Sequence, residues 1–325
     1  MTQLIQLEDI RTYFFVRRGF FSRVPLKAVD GVSLTIDEGE TIAIVGESGS
    51  GKTTLGRTAI RLLKPVSGKI IFKGEDVTNK EDDIKEFRRK AQIIFQDPFT
   101  SLNPHMTVEQ IINEPMIVHN IDDSEKEKRR SKALNDVRLL PSEEYLPKYP
   151  HMLSGGQRQR VGIARSLVLE PIFMVADEPV SMIDASSRVE ILLLLGELQK
   201  KYKMGIMYIT HDIATAKYFT RRIAVMYAGK IVEYGSTIDV LTNPIHPYTA
   251  ALKEAVPDPD PENRLRFRNV IPGEPPNPIN PPTGCRFHPR CPYATERCSK
   301  EEPALRDILR RRIACHYAET FLSKA

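Results

Sequence analysis

The chain has 325 residues, and its 47 Lys and Arg are nearly balanced by 42 Asp and Glu to a formal net charge of +5. That length exceeds one typical domain, and the balance argues against a concentrated nucleic-acid-binding patch: Lys126 to Lys132 is interrupted by Glu127, and aromatics are not interleaved. The longest aliphatic run, Ile191 to Leu195, falls far short of the ~18 residues of a membrane span, and no basic-then-apolar export signal opens the chain, so a cytosolic protein is expected.

A strand is expected around Leu7-Glu8-Asp9-Ile10, and a short buried one at Thr41 to Val45. Between that second strand and a helix from Thr54 to Leu63, stopped by Pro65, lies Gly46-Glu47-Ser48-Gly49-Ser50-Gly51-Lys52-Thr53. This run fits G-x-x-x-x-G-K-[ST] without departure. Its glycines let backbone N–H groups turn around phosphate oxygens, and the helix start adds partial positive charge. Lys52 is placed to reach the β- and γ-phosphates, and the Thr53 hydroxyl to hold Mg²⁺.

A polar, helical stretch is expected from about 100 to 165, and it contains Leu153-Ser154-Gly155-Gly156-Gln157. An apolar strand, Phe173 to Ala176, then runs into Asp177 and Glu178. In parallel sheets ligand groups gather at the carboxyl ends of strands, so Asp177 suits Mg²⁺ and Glu178 suits polarising a water. A third strand, Ile206 to Thr210, ends at His211, whose imidazole can sense a γ-phosphate. Strands and helices alternate to about residue 240, with a hairpin turn at Ala228-Gly229-Lys230. Prolines crowd Pro257 to Pro282 into an extended connector, and Arg310-Arg311-Arg312 is read as the end of a helix.

In this order the elements resemble the ATP-binding-cassette ATPases: phosphate loop, glutamine loop at Gln96, LSGGQ signature, Asp-Glu strand, aspartate loop at Asp184 and switch histidine at His211. The one departure is Ser181-Met182-Ile183-Asp184, where the family usually has Ser-Ala-Leu-Asp. The resemblance implies an α/β fold: a RecA-like mixed sheet with an antiparallel β subdomain and a helical subdomain over residues 1–240, followed by a Pro/Cys-rich C-terminal region over 241–325. It implies that Ser154, Gly155, Gly156 and Gln157 complete a partner's ATP site. Gly46 to Thr53, with Thr54, would bind the chain's own nucleotide, adenine would stack on Phe14, with adjacent Tyr13 as the alternative, and Gln96 would touch Mg²⁺ and couple the site to membrane subunits.

Gln96-Asp97-Pro98-Phe99-Thr100-Ser101-Leu102-Asn103-Pro104, Lys27 to Val32 and His246-Pro247-Tyr248-Thr249 narrow the resemblance to importers of dipeptides and oligopeptides. That subfamily implies a second, different ATPase subunit, two membrane permeases, an extracellular solute-binding protein and a place at the cytoplasmic face of the membrane. Its solutes include peptides, nickel chelates and oligosaccharides. A non-transport cassette acting on nucleic acid or ribosomes is the competing reading, disfavoured by the lack of coiled-coil insertions or a second cassette. All four cysteines, Cys285, Cys291, Cys298 and Cys315, lie beyond the connector. Their clustering points to metal, and the resemblance implies a [4Fe–4S] cluster, with zinc, aided by His288 or His316, as the alternative.

Overall fold

The computed structural model describes residues 2–18, 22–256 and 273–322. In chain order the strands are β1 (Gln3–Arg18), β2 (Ser22–Asp37), β3 (Thr41–Val45), β4 (Ser67–Phe72), β5 (Glu75–Asp76), β6 (Ala91–Ile94), β7 (Phe173–Asp177), β8 (Gly205–Thr210), β9 (Arg222–Tyr227), β10 (Lys230–Ser236), β11 (Arg306–Ile308) and β12 (Arg311–Ile313). The helices are α1 (Lys52–Ala59), α2 (Ile84–Lys90), α3 (Pro98–Ser101), α4 (Val108–Val118), α5 (Asp123–Asp136), α6 (Ser142–Tyr145), α7 (Gly155–Leu167), α8 (Ala185–Tyr202), α9 (Thr237–Thr242) and α10 (Pro247–Glu254), with two short ones near the end of the chain. Two compact units partition the chain: Met1–Ile5, Ile36–Thr41 and Phe72–Ile209 form one, and Gln6–Thr35, Ile42–Ile71 and Thr210–Ala325 form the other.

In the first unit β6, β7 and β8 run parallel, with Ala91 opposite Phe173 and Phe173 opposite Gly205. Every residue of β7 and β8 is buried, which is why both read as continuous apolar runs rather than alternating ones. Helix α7 lies against β6, with α3, α4 and α5 packed on it. Helix α4 starts with a full capping box, Thr107 Oγ1 accepting from the Gln110 N–H and Gln110 Oε1 accepting from the Thr107 N–H.

In the second unit β3 pairs parallel with β9, Ile42 opposite Arg222 and Val45 opposite Val225. Strands β9 and β10 form the expected hairpin, whose turn residues Ala228 and Gly229 both take left-handed φ angles, 44° and 83°. The antiparallel series continues from β10 to β12 to β11. Strands β2, β1 and β4 lie side by side in a separate sheet. The Thr12 and Thr58 hydroxyls meet at 3.0 Å and tie β1 to α1.

The three arginines expected to end a helix do not. Arg310 is left-handed at φ 64°, and Arg311 begins β12, where its buried guanidinium donates to the Asn243 carbonyl at 2.6 Å and pairs with the buried Glu233 at 3.5 Å. That long-range anchor outweighs the local preference for a helix. Of the expected proline-rich connector, residues 257–272 lie outside the described residues.

Candidate functional site

Residues Gly46 to Gly51 connect β3 to α1 in the second unit. Gly51 is left-handed at φ 102°, and a Cβ there would stand 2.1 Å from the Ala28 carbonyl oxygen; at Gly46 it would stand 2.2 Å from that of Met226. No side chain fits at either position, so the loop backbone lies against both neighbours. The Ser50 N–H donates to Glu47 O at 3.2 Å, and Ser50 O accepts from the Gly229 N–H at 2.9 Å. Lys52 is only 4% exposed, and its Nζ donates to the carbonyls of Gly46 at 2.8 Å and Glu47 at 2.9 Å.

Helix α1 begins on Gly51, which offers no capping side chain, and no acidic residue stands in its first turn. Its leading amides, including those of half-buried Thr53 and Thr54, therefore suit an anion. The buried Ser50 Oγ has no hydrogen-bond partner among the described residues. A glycine-walled loop, an uncapped helix start and a buried lysine fit a triphosphate and its Mg²⁺.

In the first unit the carboxyl ends of parallel β6 and β7 bring Gln96, Asp177 and Glu178 to one edge. Asp177 is 1% exposed at the last position of β7. Glu178 is left-handed at φ 44°, a strained backbone for a non-glycine residue, and is held there by its N–H to Ile209 O at 2.9 Å. The Gln96 amide nitrogen donates to Glu178 Oε2 at 3.0 Å. Ser181 Oγ donates to the Glu178 carbonyl at 3.1 Å. His211 directly follows β8, is exposed and belongs to the second unit.

The signature opens α7, also in the first unit. Ser154 is the cap: its Oγ accepts from the Gln157 N–H at 3.3 Å, and Gln157 Oε1 accepts from the Ser154 N–H at 2.9 Å. Both polar side chains thus serve the helix start, which leaves backbone amides of the first turn for any outside anion. Gly156 faces α8, since a Cβ there would come 3.2 Å from Ser187 Oγ. Asp184 caps α8, accepting from the Ser186 hydroxyl at 2.5 Å and the Ser187 N–H at 3.0 Å. Those bonds hold its carboxyl down at about 2.

Of the two candidate aromatics, Tyr13 is committed. Its hydroxyl donates to Asp30 at 2.5 Å, and desolvation followed by that carboxylate pushes it up to about 12. Phe14, next along β1, is 41% exposed.

The metal expectation is overturned. Among the described residues, no group of three or more His, Cys, Asp or Glu side chains could hold a metal ion, so neither an iron–sulfur cluster nor zinc is supported. All four cysteines are free. Burial pushes the Cys285 and Cys315 thiols up to about 11 and raises that of Cys291. One ring nitrogen of each nearby histidine bonds a backbone carbonyl, His288 Nδ1 with Cys285 O and His316 Nε2 with Glu301 O, each at 2.9 Å. The clustering in sequence instead reflects a local fold in which the Cys285 N–H donates to Cys298 O at 2.8 Å.

Comparison with known proteins agrees with this geometry. The ABC transporter family profile matches residues 29–181, and that of the oligopeptide/dipeptide transporter C-terminal region matches 232–298. The oligopeptide transport ATP-binding protein AppF of Bacillus subtilis is 43% identical over 320 residues, covering 96% of this chain and 97% of its own. OppF of Salmonella typhimurium, with the same description, is 44% identical over 320 residues, covering 96% and 95%. Among solved structures, CbiO1 of Clostridium perfringens, part of an ABC transporter complex, matches with a TM-score of 0.64 and 30% identity over 74% of this chain and 92% of its own. The dimeric ATP-binding cassette MJ0796, bound to ADP and Pi, matches with a TM-score of 0.63 and 28% identity over 72% and 99%. Likeness of this extent, carried by both the cassette and the region that follows it, means that the chain belongs to the ABC transporter family, as an ATP-binding, ATP-hydrolysing subunit.

Proposed function

We propose that this chain hydrolyses MgATP to drive uptake of peptides through partner permeases, with a cassette over residues 1–240 and a peptide-transporter C-terminal region over 241–325. The observation that carries the reading is the phosphate loop, whose Gly46 and Gly51 admit no side chain and whose helix start is left uncapped. Support for the solute comes from the relatives, which are named as oligopeptide transport ATP-binding proteins. No helix of the described residues is long and apolar enough to cross a membrane.

In this reading Lys52 leaves the Gly46 and Glu47 carbonyls to meet the β- and γ-phosphates, and the amides of Gly49 to Thr54 surround them. Thr53, Gln96 and Asp177 are the residues that would hold Mg²⁺, which would neutralise phosphate charge when bound. Glu178 polarises the attacking water, with Gln96 orienting its carboxylate, and His211 contacts the γ-phosphate. Phe14 stacks on adenine. Amides of Ser154 to Gln157 complete the site of a second ATPase subunit, a different paralogue, and Asp184 orders the α8 turn behind Gly156. The remaining partners are two permeases and an extracellular solute-binding protein, with the ATPase pair at the cytoplasmic face.

Reconstitution tests this. Proteoliposomes holding the chain with permeases and a binding protein should take up labelled oligopeptide in step with ATP hydrolysis. Uptake of a nickel chelate or oligosaccharide alone would reassign the solute, and stimulation only by ribosomes or nucleic acid would end the transport reading.

A further inference from the structure

Within the phosphate loop, Glu47 occupies a position at which any residue satisfies the motif, yet its backbone and side chain are all engaged. Its carboxylate accepts two bonds from Arg290, Oε2 from Nη1 at 2.7 Å and Oε1 from Nη2 at 3.1 Å. Its N–H donates to the Tyr248 hydroxyl at 2.8 Å, and its carbonyl receives Lys52 Nζ at 2.9 Å. Arg290 is 6% exposed and Tyr248 is fully buried. All of these residues belong to the second unit.

The same arginine reaches the other wall of the loop. Arg290 Nη1 donates to the Tyr227 hydroxyl at 3.3 Å, and its guanidinium lies 5.8 Å from that ring's centre. Tyr227 ends β9, immediately after Met226, whose carbonyl closes on Gly46, and just before Gly229, whose N–H holds Ser50 O. Tyr227, Tyr248 and Phe287 pack with ring centres 4.6, 5.2 and 5.4 Å apart, and form a floor under the arginine.

A carboxylate in a loop that must take a triphosphate is an electrostatic liability, because it repels the anion the loop is built for. A planar guanidinium on both carboxylate oxygens cancels the charge and turns it away. From this arrangement we infer that Arg290 and Tyr248 are positioning residues of the phosphate loop, Arg290 by neutralising Glu47 and both by fixing the backbone that carries Lys52. The inference rests on the reading that residues 46–53 bind nucleotide. Its consequence is that the C-terminal region sets ATP affinity as well as following the cassette in sequence.

The test is a cycle on the full-length chain, reading both binding of a fluorescent ATP analogue and steady-state MgATP turnover. Arg290→Gln should weaken binding and raise KM on the order of tenfold while kcat changes much less, because it exposes the Glu47 charge. Adding Glu47→Gln should restore most of that affinity, and Arg290→Lys should fall between the two. A merely structural arginine would show no such rescue on removal of the carboxylate. An unchanged KM in Arg290→Gln, or a rise that Glu47→Gln does not relieve, overturns the inference. If Arg290→Gln does not fold, Arg290→Lys alone and with Glu47→Gln carries the comparison. Lys52→Ala separates the underlying reading: it should abolish nucleotide binding, and wild-type binding there would remove the phosphate loop itself from the site.

Discussion

Gln96 and Glu178 share a hydrogen bond, the amide nitrogen of the first donating to Oε2 of the second at 3.0 Å. Their separation of 82 positions places one after β6 and the other after β7, and parallel pairing of those strands brings the two together. The two roles expected from the sequence, coupling to partner subunits at Gln96 and activation of water at Glu178, would thus meet at one carboxylate. Any displacement of Gln96 moves the group expected to hold the water.

Glu178→Gln is therefore expected to keep nucleotide affinity within about twofold while lowering turnover by about 10²–10⁴, since it removes a general base and leaves the shape. Single-turnover phosphate release measures it, with size-exclusion chromatography to detect an ATP-trapped dimer. Turnover near wild type would take Glu178 out of the mechanism.

Gln96→Ala should lower kcat by about tenfold with little change in KM, since it loosens the carboxylate without removing it. Combined with Glu178→Gln it should cost almost nothing more, because the two act as a unit. Fully additive losses would mean that the bond has no kinetic role.

Gly51→Ala is expected to reduce ATP affinity more than tenfold, because a Cβ at φ 102° meets the Ala28 carbonyl at 2.1 Å. Circular dichroism should show the rest of the fold intact. Normal affinity in that variant would show that the loop can rearrange.

Ser154→Ala should destabilise the chain by about 1 kcal/mol in urea denaturation by removing the α7 cap, and Ser154→Thr should recover most of it. Ser154→Arg should instead block the paired subunit's site. In a mixed dimer it should lower the partner's turnover while leaving this chain's own ATP affinity within about twofold. Equal loss of affinity in the isolated chain would contradict an arrangement between subunits.

Burial holds the His246 imidazole down at about 3, and its Nδ1 accepts from the Tyr248 N–H at 3.1 Å as the cap of α10. The unfolded chain therefore takes up this proton first. The contribution is fully present above about pH 6.5 and is lost progressively as pH falls toward 3. Between pH 7 and 5, where most carboxylates stay ionised, stability from urea denaturation should decline in the wild type. His246→Asn, which retains a cap acceptor, should flatten that limb; an unchanged slope would place the titration elsewhere.

Much of the site is legible in the sequence because its geometry is local. The loop from Gly46 to Thr53, the cap from Ser154 to Gln157 and the buried runs of β3, β7 and β8 each depend on contacts or periodicities spanning a few residues. Counting along the first strand puts Phe14 ahead of Tyr13 as the adenine-stacking candidate, but that the Tyr13 hydroxyl is tied to Asp30 could be seen only in the structure. The cysteines misled for a related reason. Clustering along the chain does not by itself make a metal site, and among the described residues no group of three or more His, Cys, Asp or Glu could hold a metal ion.

By itself, the sequence determined the Gly46–Thr53 loop, the helix that Ser154 caps and the order of the strands, since backbone geometry and side-chain periodicity act over short distances. Only the tertiary structure decided what holds that loop. Glu47 and Arg290 stand 243 positions apart, and an ion pair across such a separation exists only once β3, β9 and the C-terminal region have folded around the same aromatic floor. Charge complementarity selects such a pair, and the path of the backbone brings it within reach.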